Sequence, residues 1–144
     1  MSGFRLAWLA ASWFAVACHV EKPLPAVSDF FGTWKIVSIA GYGDMGGGQP
    51  VGKELLGTKL TVTSQGMSLD VDKWSCVADG GYRVQEVDMS YLLDDSGARP
   101  EEVQLPARVV RFAGDNNCLH IFWLGPNLIE FDYIGVFVRA ERGA

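Results

Sequence analysis

The stretch "FGTWKIVSIA", residues 31–40, decides the fold class of this 144-residue chain. Trp34 and Ile36 alternate in it with Lys35 and Val37, and β-branched side chains are frequent, so it predicts a β-strand. Short runs of the same kind recur down the chain, with turn residues about every eight to twelve positions. The sequence therefore predicts an all-β domain, an antiparallel up-and-down barrel of about eight strands.

Further strands are predicted at residues 58–63, 67–72, 82–88, 107–113, 118–124, 128–133 and 135–141. One short helix is expected over residues 88–94, because Asp88 is a suitable N-cap and Gly97 a suitable end. Residues 53–57 predict a single helical turn, and residues 98–106 a polar connection. The expected interior consists of Trp34, Ile36, Leu60, Val62, Met67, Leu69, Val84, Val110, Phe112, Phe122, Phe131 and Phe137.

The first 28 residues have the composition of an export segment. Arg5 precedes an uncharged run of twelve residues that ends in Ala15-Val16-Ala17. This is typical of a signal peptide, and the run is shorter than the roughly 20 residues that span a bilayer. We expect a signal peptide over 1–17, a tether over 18–28 and a barrel domain over 29–144, with an uncleaved anchor as the alternative.

Cys18 follows directly after that small-residue site and resembles the lipid-modified cysteine of bacterial lipoproteins. The resemblance implies an acylated Cys18 that holds the protein to a membrane. If Cys18 is not acylated, it is the first mature residue or lies beside an ordinary cleavage site. The expected location is the bacterial periplasm or the outer membrane, and otherwise the extracellular space.

Cysteine count and charge limit the partners. In an exported chain the two remaining cysteines, Cys76 and Cys118, are expected to form one disulfide. Without residues 1–17 the chain has 11 basic and 17 acidic side chains, a net charge of −6. An acidic chain with no basic cluster makes nucleic acid an unsuitable partner, and we expect membrane attachment only through Cys18.

A glycine-rich stretch, residues 39–54, contains two nucleotide-binding patterns. Gly41, Gly43 and Gly46 spell G-x-G-x-x-G, and Gly47, Gly52 and Lys53 spell G-x-x-x-x-G-K. Both patterns require a helix that starts at the phosphate, whereas the glycines and Pro50 predict that no helix follows. Glu54 also replaces the Ser or Thr that would bind magnesium. We expect a mobile loop at the barrel mouth.

No metal site, cofactor or catalytic activity is expected. His19 lies in the tether and His120 in a predicted strand, and a zinc site needs three or four converging ligands. The adjacent carboxylates at 94–95 and 101–102 flank loop residues and are expected to be solvated. Catalysis would require carboxylates or His120 to converge in a cleft.

Gly32-Thr33-Trp34 at the start of the first strand resembles the G-x-W motif of lipocalins and the wider calycin group. In that family the tryptophan closes one end of the barrel under a basic side chain from the last strand. The resemblance implies this role for Gly32 and Trp34 together with Arg139 or Arg142. It implies an exported, non-catalytic protein that binds a small apolar ligand, with Tyr42 and Met45 at the mouth.

Two other functions stay open. Small exported disulfide-containing barrels include inhibitors of secreted proteases and lysozymes, which would make a secreted hydrolase the partner. A structural lipoprotein of the cell envelope is the other alternative. It is favoured by a solid interior and an acylated Cys18.

Overall fold

The computed structural model describes residues 21–115 and 117–143. The predicted signal peptide, Cys18 and His19 lie outside these residues. The described chain forms one sheet of nine antiparallel strands that curls into a half-barrel, which confirms the predicted all-β class. The strands are β1 (Gly32–Tyr42), β2 (Lys59–Thr63), β3 (Gly66–Leu69), β4 (Ser75–Val77), β5 (Tyr82–Asp88), β6 (Arg108–Gly114), β7 (Ile121–Gly125), β8 (Leu128–Tyr133) and β9 (Val136–Arg142).

Two short α-helices, α1 (Gly48–Leu55) and α2 (Leu92–Ser96), accompany the sheet. Three 3₁₀ turns cover Val27–Phe30, Met89–Tyr91 and Pro100–Val103. Among the described residues no helix is long and apolar enough to cross a membrane.

The strand order is β4-β3-β2-β1-β9-β8-β7-β6-β5, so chain neighbours pair and the last strand pairs with the first. In the described residues no hydrogen-bonded ladder joins β4 to β5, which are the two edges of the sheet. The predicted disulfide is confirmed: Cys76 in β4 is bonded to Cys118, just before β7. It links one edge strand to the opposite half of the sheet and so holds the curl.

The inner face of the sheet is filled by its own side chains. Phe30, Trp34 and Phe131 are fully buried there. Phe112 stacks between Phe30, 4.4 Å away between ring centroids, and Tyr82, 4.3 Å away. Eight of the twelve residues predicted for the interior are buried in this inner core. Phe122 and Phe137 are buried on the other face of the sheet, contrary to the prediction, and Val84 and Val110 are half-buried.

The other face of the sheet, here called the outer face, carries a second apolar core. Residues 89–105, here called the outer cover, lie against it, and their buried side chains pack with Phe122 and Phe137. Phe137 alternates along β9 with Val136 and Val138 of the inner core, which places it on the opposite side. Residues 98–106 are therefore not the polar connection that was expected, because Val103 and Leu105 are buried in this core.

The prediction that no helix follows the glycines is wrong, because α1 begins at Gly48. Pro50 lies in the first turn of α1, where its missing N–H has no intrahelical partner to lose. The helix predicted over residues 88–94 is confirmed as a 3₁₀ turn that continues into α2. The Asp88 carboxylate accepts a hydrogen bond from the Ser90 N–H (2.8 Å), and Gly97 ends α2 with φ +72°.

Candidate functional site

One end of the half-barrel is organised around Trp34. Its indole N–H donates to the Phe30 carbonyl (2.9 Å), and the Arg142 guanidinium lies over the ring, 4.1 Å from the centroid. Arg142 also donates to the carbonyls of Phe31 (2.7 Å) and Asp29. Gly32 leaves room for this arginine, since a Cβ there would lie 3.1 Å from its Nη1. Of the two arginines considered for this position, Arg142 occupies it.

Arg139 lies on the outer face and pairs with Glu130 at 3.1 Å. Glu130 is fully buried, and desolvation raises its pKa to about 7 although the Arg139 charge and hydrogen bond oppose the shift. Arg139 also donates to the Gln104 carbonyl (2.8 Å), and the Gln104 amide donates to the Ala40 carbonyl (3.1 Å). This network attaches the outer cover to the sheet.

The glycine motif has a packing role. A Cβ at Gly41, Gly43 or Gly46 would collide with a backbone carbonyl oxygen, that of Glu102, Ser96 and Ile134 respectively. The loop is hydrogen-bonded through Gly43 N–H to the Gly135 carbonyl (2.8 Å) and through Gly47 N–H to the Ile134 carbonyl (2.9 Å). The glycines thus allow the loop to lie directly against the outer cover and the β8–β9 turn.

Tyr42 and Met45, the expected ligand mouth, are placed at this loop. Tyr42 ends β1, and its hydroxyl lies over Gly52 of α1, 2.9 Å from where a Cβ would stand. Met45 is 76% exposed. The inner core beneath is occupied by side chains, so these residues adjoin a filled interior.

A cavity of about 200 Å³ lies on the outer face between α2 and the strands β7 and β8. Its wall combines aromatic and aliphatic side chains with two carboxylates and an imidazole. The lining residues are Tyr91, Leu92, Asp95, Cys118, Leu119, His120, Phe122, Asp132 and Phe137. This outer cavity is the candidate functional site, since small-molecule sites are concave, mostly apolar and provided with a few polar groups.

Asp132 is the most perturbed group of the outer cavity. Burial raises its pKa to about 6, a hydrogen bond from the Gly135 N–H opposes the shift, and the negative charge of Asp95 adds to it. Its Oδ1 atom is buried and has no hydrogen-bond partner among the described residues. Asp95 was expected to be solvated with its neighbour, and it is exposed, yet it lines the cavity.

His120 is not a strand residue, contrary to the prediction. It lies in the segment before β7 and is exposed at the rim of the outer cavity. Partial burial of the ring and the positive charge of Arg111 lower its pKa, and Asp95 opposes this shift. Arg111 donates to the Tyr91 hydroxyl (3.3 Å), and its guanidinium carbon is 5.7 Å from the Tyr91 ring centroid.

Sequence reasoning placed none of these side chains together, because four separate segments supply them. The signal that was present is the polar alternation of β8, where Glu130 and Asp132 interrupt an apolar strand. Among residues 21–115 and 117–143, no group of three or more His, Cys, Asp or Glu residues is placed to hold a metal ion.

Fold and site together define a small, disulfide-linked antiparallel half-barrel with a cavity on the outer face of its sheet, whose wall contains carboxylates and an imidazole. Comparison with family models, with curated proteins and with solved structures found no match.

Proposed function

We propose that the protein is an exported binding protein without catalytic activity, and that it holds a small molecule in the outer cavity. The observation that carries this proposal is the lining of the cavity. Three aromatic residues line the cavity together with a carboxylate, Asp132, whose pKa is raised to about 6 and whose Oδ1 has no hydrogen-bond partner among the described residues. Perturbed titratable groups in a cleft are typical of functional sites.

The location of the ligand differs from the one that the lipocalin resemblance implies. The inner face is packed with Phe30, Trp34, Phe112 and Phe131, which are fully buried. A closed barrel of about eight strands has room either for side chains or for one small ligand, and in this curled sheet side chains occupy the inner face. We therefore assign binding to the outer face.

A screen with small organic molecules of differing charge tests the proposal. Binding is measured by isothermal titration calorimetry and by the rise in thermal midpoint. Leu119→Trp, which fills the cavity, is expected to abolish binding. Leu56→Trp, at an exposed residue after α1, is expected to leave it unchanged. Binding that survives the cavity-filling substitution would place the ligand elsewhere and contradict the assignment.

Export to the bacterial periplasm, with a lipid on Cys18, is part of the proposal. The Cys76–Cys118 disulfide is compatible with an oxidising compartment. Mass spectrometry of the purified protein is expected to show loss of residues 1–17 and a mass increase on Cys18 that corresponds to acyl chains. A chain that retains residues 1–17 would overturn this part.

One observation favours a second candidate, acid–base catalysis. Asp95, Asp132 and His120 line the same cavity. Burial is the main cause of the raised pKa of Asp132 and of the lowered pKa of His120, and the negative charge of Asp95 acts on both groups. A panel of ester, glycoside and phosphate-ester substrates tests it. Turnover that is lost in both Asp132→Asn and His120→Asn would establish catalysis and refute the binding proposal. Absence of turnover together with ligand binding supports the binding proposal.

Inhibition of a secreted hydrolase by the tether receives less support. Pro23, Leu24 and Pro25 line one surface groove together with Arg108 and Trp123, so this part of the tether lies against the sheet. If no ligand binds, no substrate is turned over and Cys18 is acylated, the structural role in the envelope replaces the proposal.

A further inference from the structure

We propose that the outer cavity binds a small organic cation, a protonated amine attached to an apolar or aromatic body. This inference rests on the proposed function of the cavity and names its ligand class. It combines three features of the site: carboxylates without an ion-pair partner among the described residues, aromatic side chains in the wall, and limited size.

The negative charge comes from Asp132 and Asp95. In the described part of the chain neither carboxylate forms an ion pair with a lysine or arginine. Glu130, two residues before Asp132 on the same face of β8, differs because it has Arg139 as an ion-pair partner. A buried carboxylate is costly unless a positive group accompanies it, so an ammonium group in the cavity would stabilise the ionised form of Asp132.

The two other charged or basic groups nearby do not supply this positive charge. His120 has a lowered pKa and is mostly neutral at pH 7. Arg111 is engaged with the hydroxyl and ring of Tyr91 and does not line the cavity. Its charge acts on His120, whose pKa it lowers, but its side chain is not part of the wall, which leaves the carboxylates as the charged part of the wall.

The rest of the wall suits the apolar body of such a ligand. Tyr91, Phe122 and Phe137 line the cavity, and ring faces attract cations. Leu92 and Leu119 add aliphatic surface. The volume of about 200 Å³ is below the ~300–1,000 Å³ of drug-sized sites, so the ligand has a single ring or a short chain.

Three probes of matched shape test the charge preference: 2-phenylethylamine, 2-phenylethanol and phenylacetate. Calorimetry at pH 7.5 is expected to show that the amine binds at least about tenfold more tightly than the alcohol, and that phenylacetate does not bind. Asp132→Asn is expected to remove the advantage of the amine. Asp70→Asn, an exposed carboxylate outside the cavity, is the matched control and keeps it.

Proton release gives an independent readout. A bound ammonium lowers the pKa of Asp132 from about 6, so amine binding at pH 6 releases protons and at pH 8 releases almost none. Calorimetry in buffers of different ionisation enthalpy measures this release, which Asp132→Asn abolishes. Other ionisable groups lie around the cavity, and the Asp132→Asn variant retains them, so the difference between the two proteins isolates Asp132. These groups are Asp95, His120, Tyr91, Arg111, Glu130 and Arg139.

The possible failures are distinguishable. Equal binding of amine and alcohol, or tighter binding of phenylacetate, overturns the cation inference and leaves the binding function intact. Amine binding that Asp132→Asn does not weaken also overturns it, provided that circular dichroism shows a folded variant and Asp95→Asn is equally without effect. If none of the three probes and no member of the wider screen binds, both proposals are wrong.

Discussion

Arg142 in the last strand lies over Trp34 in the first strand, with its guanidinium carbon 4.1 Å from the indole centroid. The two residues are register partners in the β1–β9 ladder. Arg142 also donates to the carbonyls of Phe31 and Asp29, which precede β1. One side chain thus fastens the 3₁₀ turn, the first strand and the last strand to each other.

Arg142→Ala is expected to lower the free energy of unfolding by about 2–3 kcal/mol. The substitution removes a cation–π contact and charge-assisted hydrogen bonds to two carbonyl groups. Urea denaturation followed by tryptophan fluorescence measures the loss. Arg83→Ala, which breaks an exposed ion pair with Asp115, is the control and is expected to cost less than about 1 kcal/mol. Equal losses in the two variants would contradict this, because they would show that Arg142 over Trp34 stabilises the protein no more than an exposed ion pair does.

The buried Glu130 is expected to make stability fall as pH rises. Its pKa is raised in the folded state from 4.5 to about 7, so the folded chain keeps a proton that the unfolded chain has released. Between these values the free energy of unfolding falls by about 1.4 kcal/mol per pH unit from this group, and above pH 7 the loss is complete.

Urea denaturation of the wild type and Glu130→Gln at pH 5, 6, 7 and 8 measures this dependence. The difference between the two proteins isolates Glu130 from the other carboxylates. We expect the free energy of unfolding of the variant, relative to that of the wild type, to increase as pH rises from 5 to 7 and to become constant by pH 8. A constant difference across the range would contradict the raised pKa.

Replacing both cysteines of the Cys76–Cys118 disulfide by alanine is expected to destabilise the protein by up to ~4 kcal/mol. The bridge closes a loop between residues 42 positions apart, and loop-closure entropy of the unfolded chain gives this magnitude. Chemical denaturation under oxidising conditions measures it. Dithiothreitol is expected to lower the midpoint of the wild type to that of the variant and to leave the variant unchanged. A reductant effect on the variant would point to a different cause.

Gly46→Ala is expected to cost at least about 2 kcal/mol, because its Cβ would overlap the backbone carbonyl of Ile134, which cannot move aside. Gly52→Ala is the matched comparison within the same glycine-rich stretch. There the nearest atom is the hydroxyl of Tyr42, at the far end of a partly exposed side chain, and alanine favours the helix. We expect a change within about 1 kcal/mol. Thermal denaturation measures both variants. A larger loss for Gly46→Ala supports a packing role for the glycine motif, and equal small losses would show that the loop accepts a side chain at residue 46.

The sequence predicted those strands that contain a full alternating pattern. β5 and β8 have the predicted bounds, because each alternates over six or seven residues between clear turns. β4 was missed, since three residues, Ser75–Val77, are too few to show a period. β1 was predicted, but bulges after Ile36 and Ile39 shift its facing side chains in a way that alternation cannot show.

The candidate site was beyond sequence reasoning for a related reason. The outer cover is a succession of single turns, so Val103 and Leu105 show no periodicity that marks them as buried. His120 was assigned to a strand because it alternates with Leu119 and Ile121, whereas β7 begins only at Ile121, three residues after the disulfide-bonded Cys118. Asp95 and Asp132 meet only once the outer cover folds back over β8.

Because both faces of the sheet are covered by packed side chains, each face has a separate role. The aromatic packing on the inner face sets the curl of the sheet, and the outer cover forms part of the wall of the outer cavity. We expect that substitutions in residues 89–105 can change which molecules the outer cavity accepts while the curl of the sheet persists.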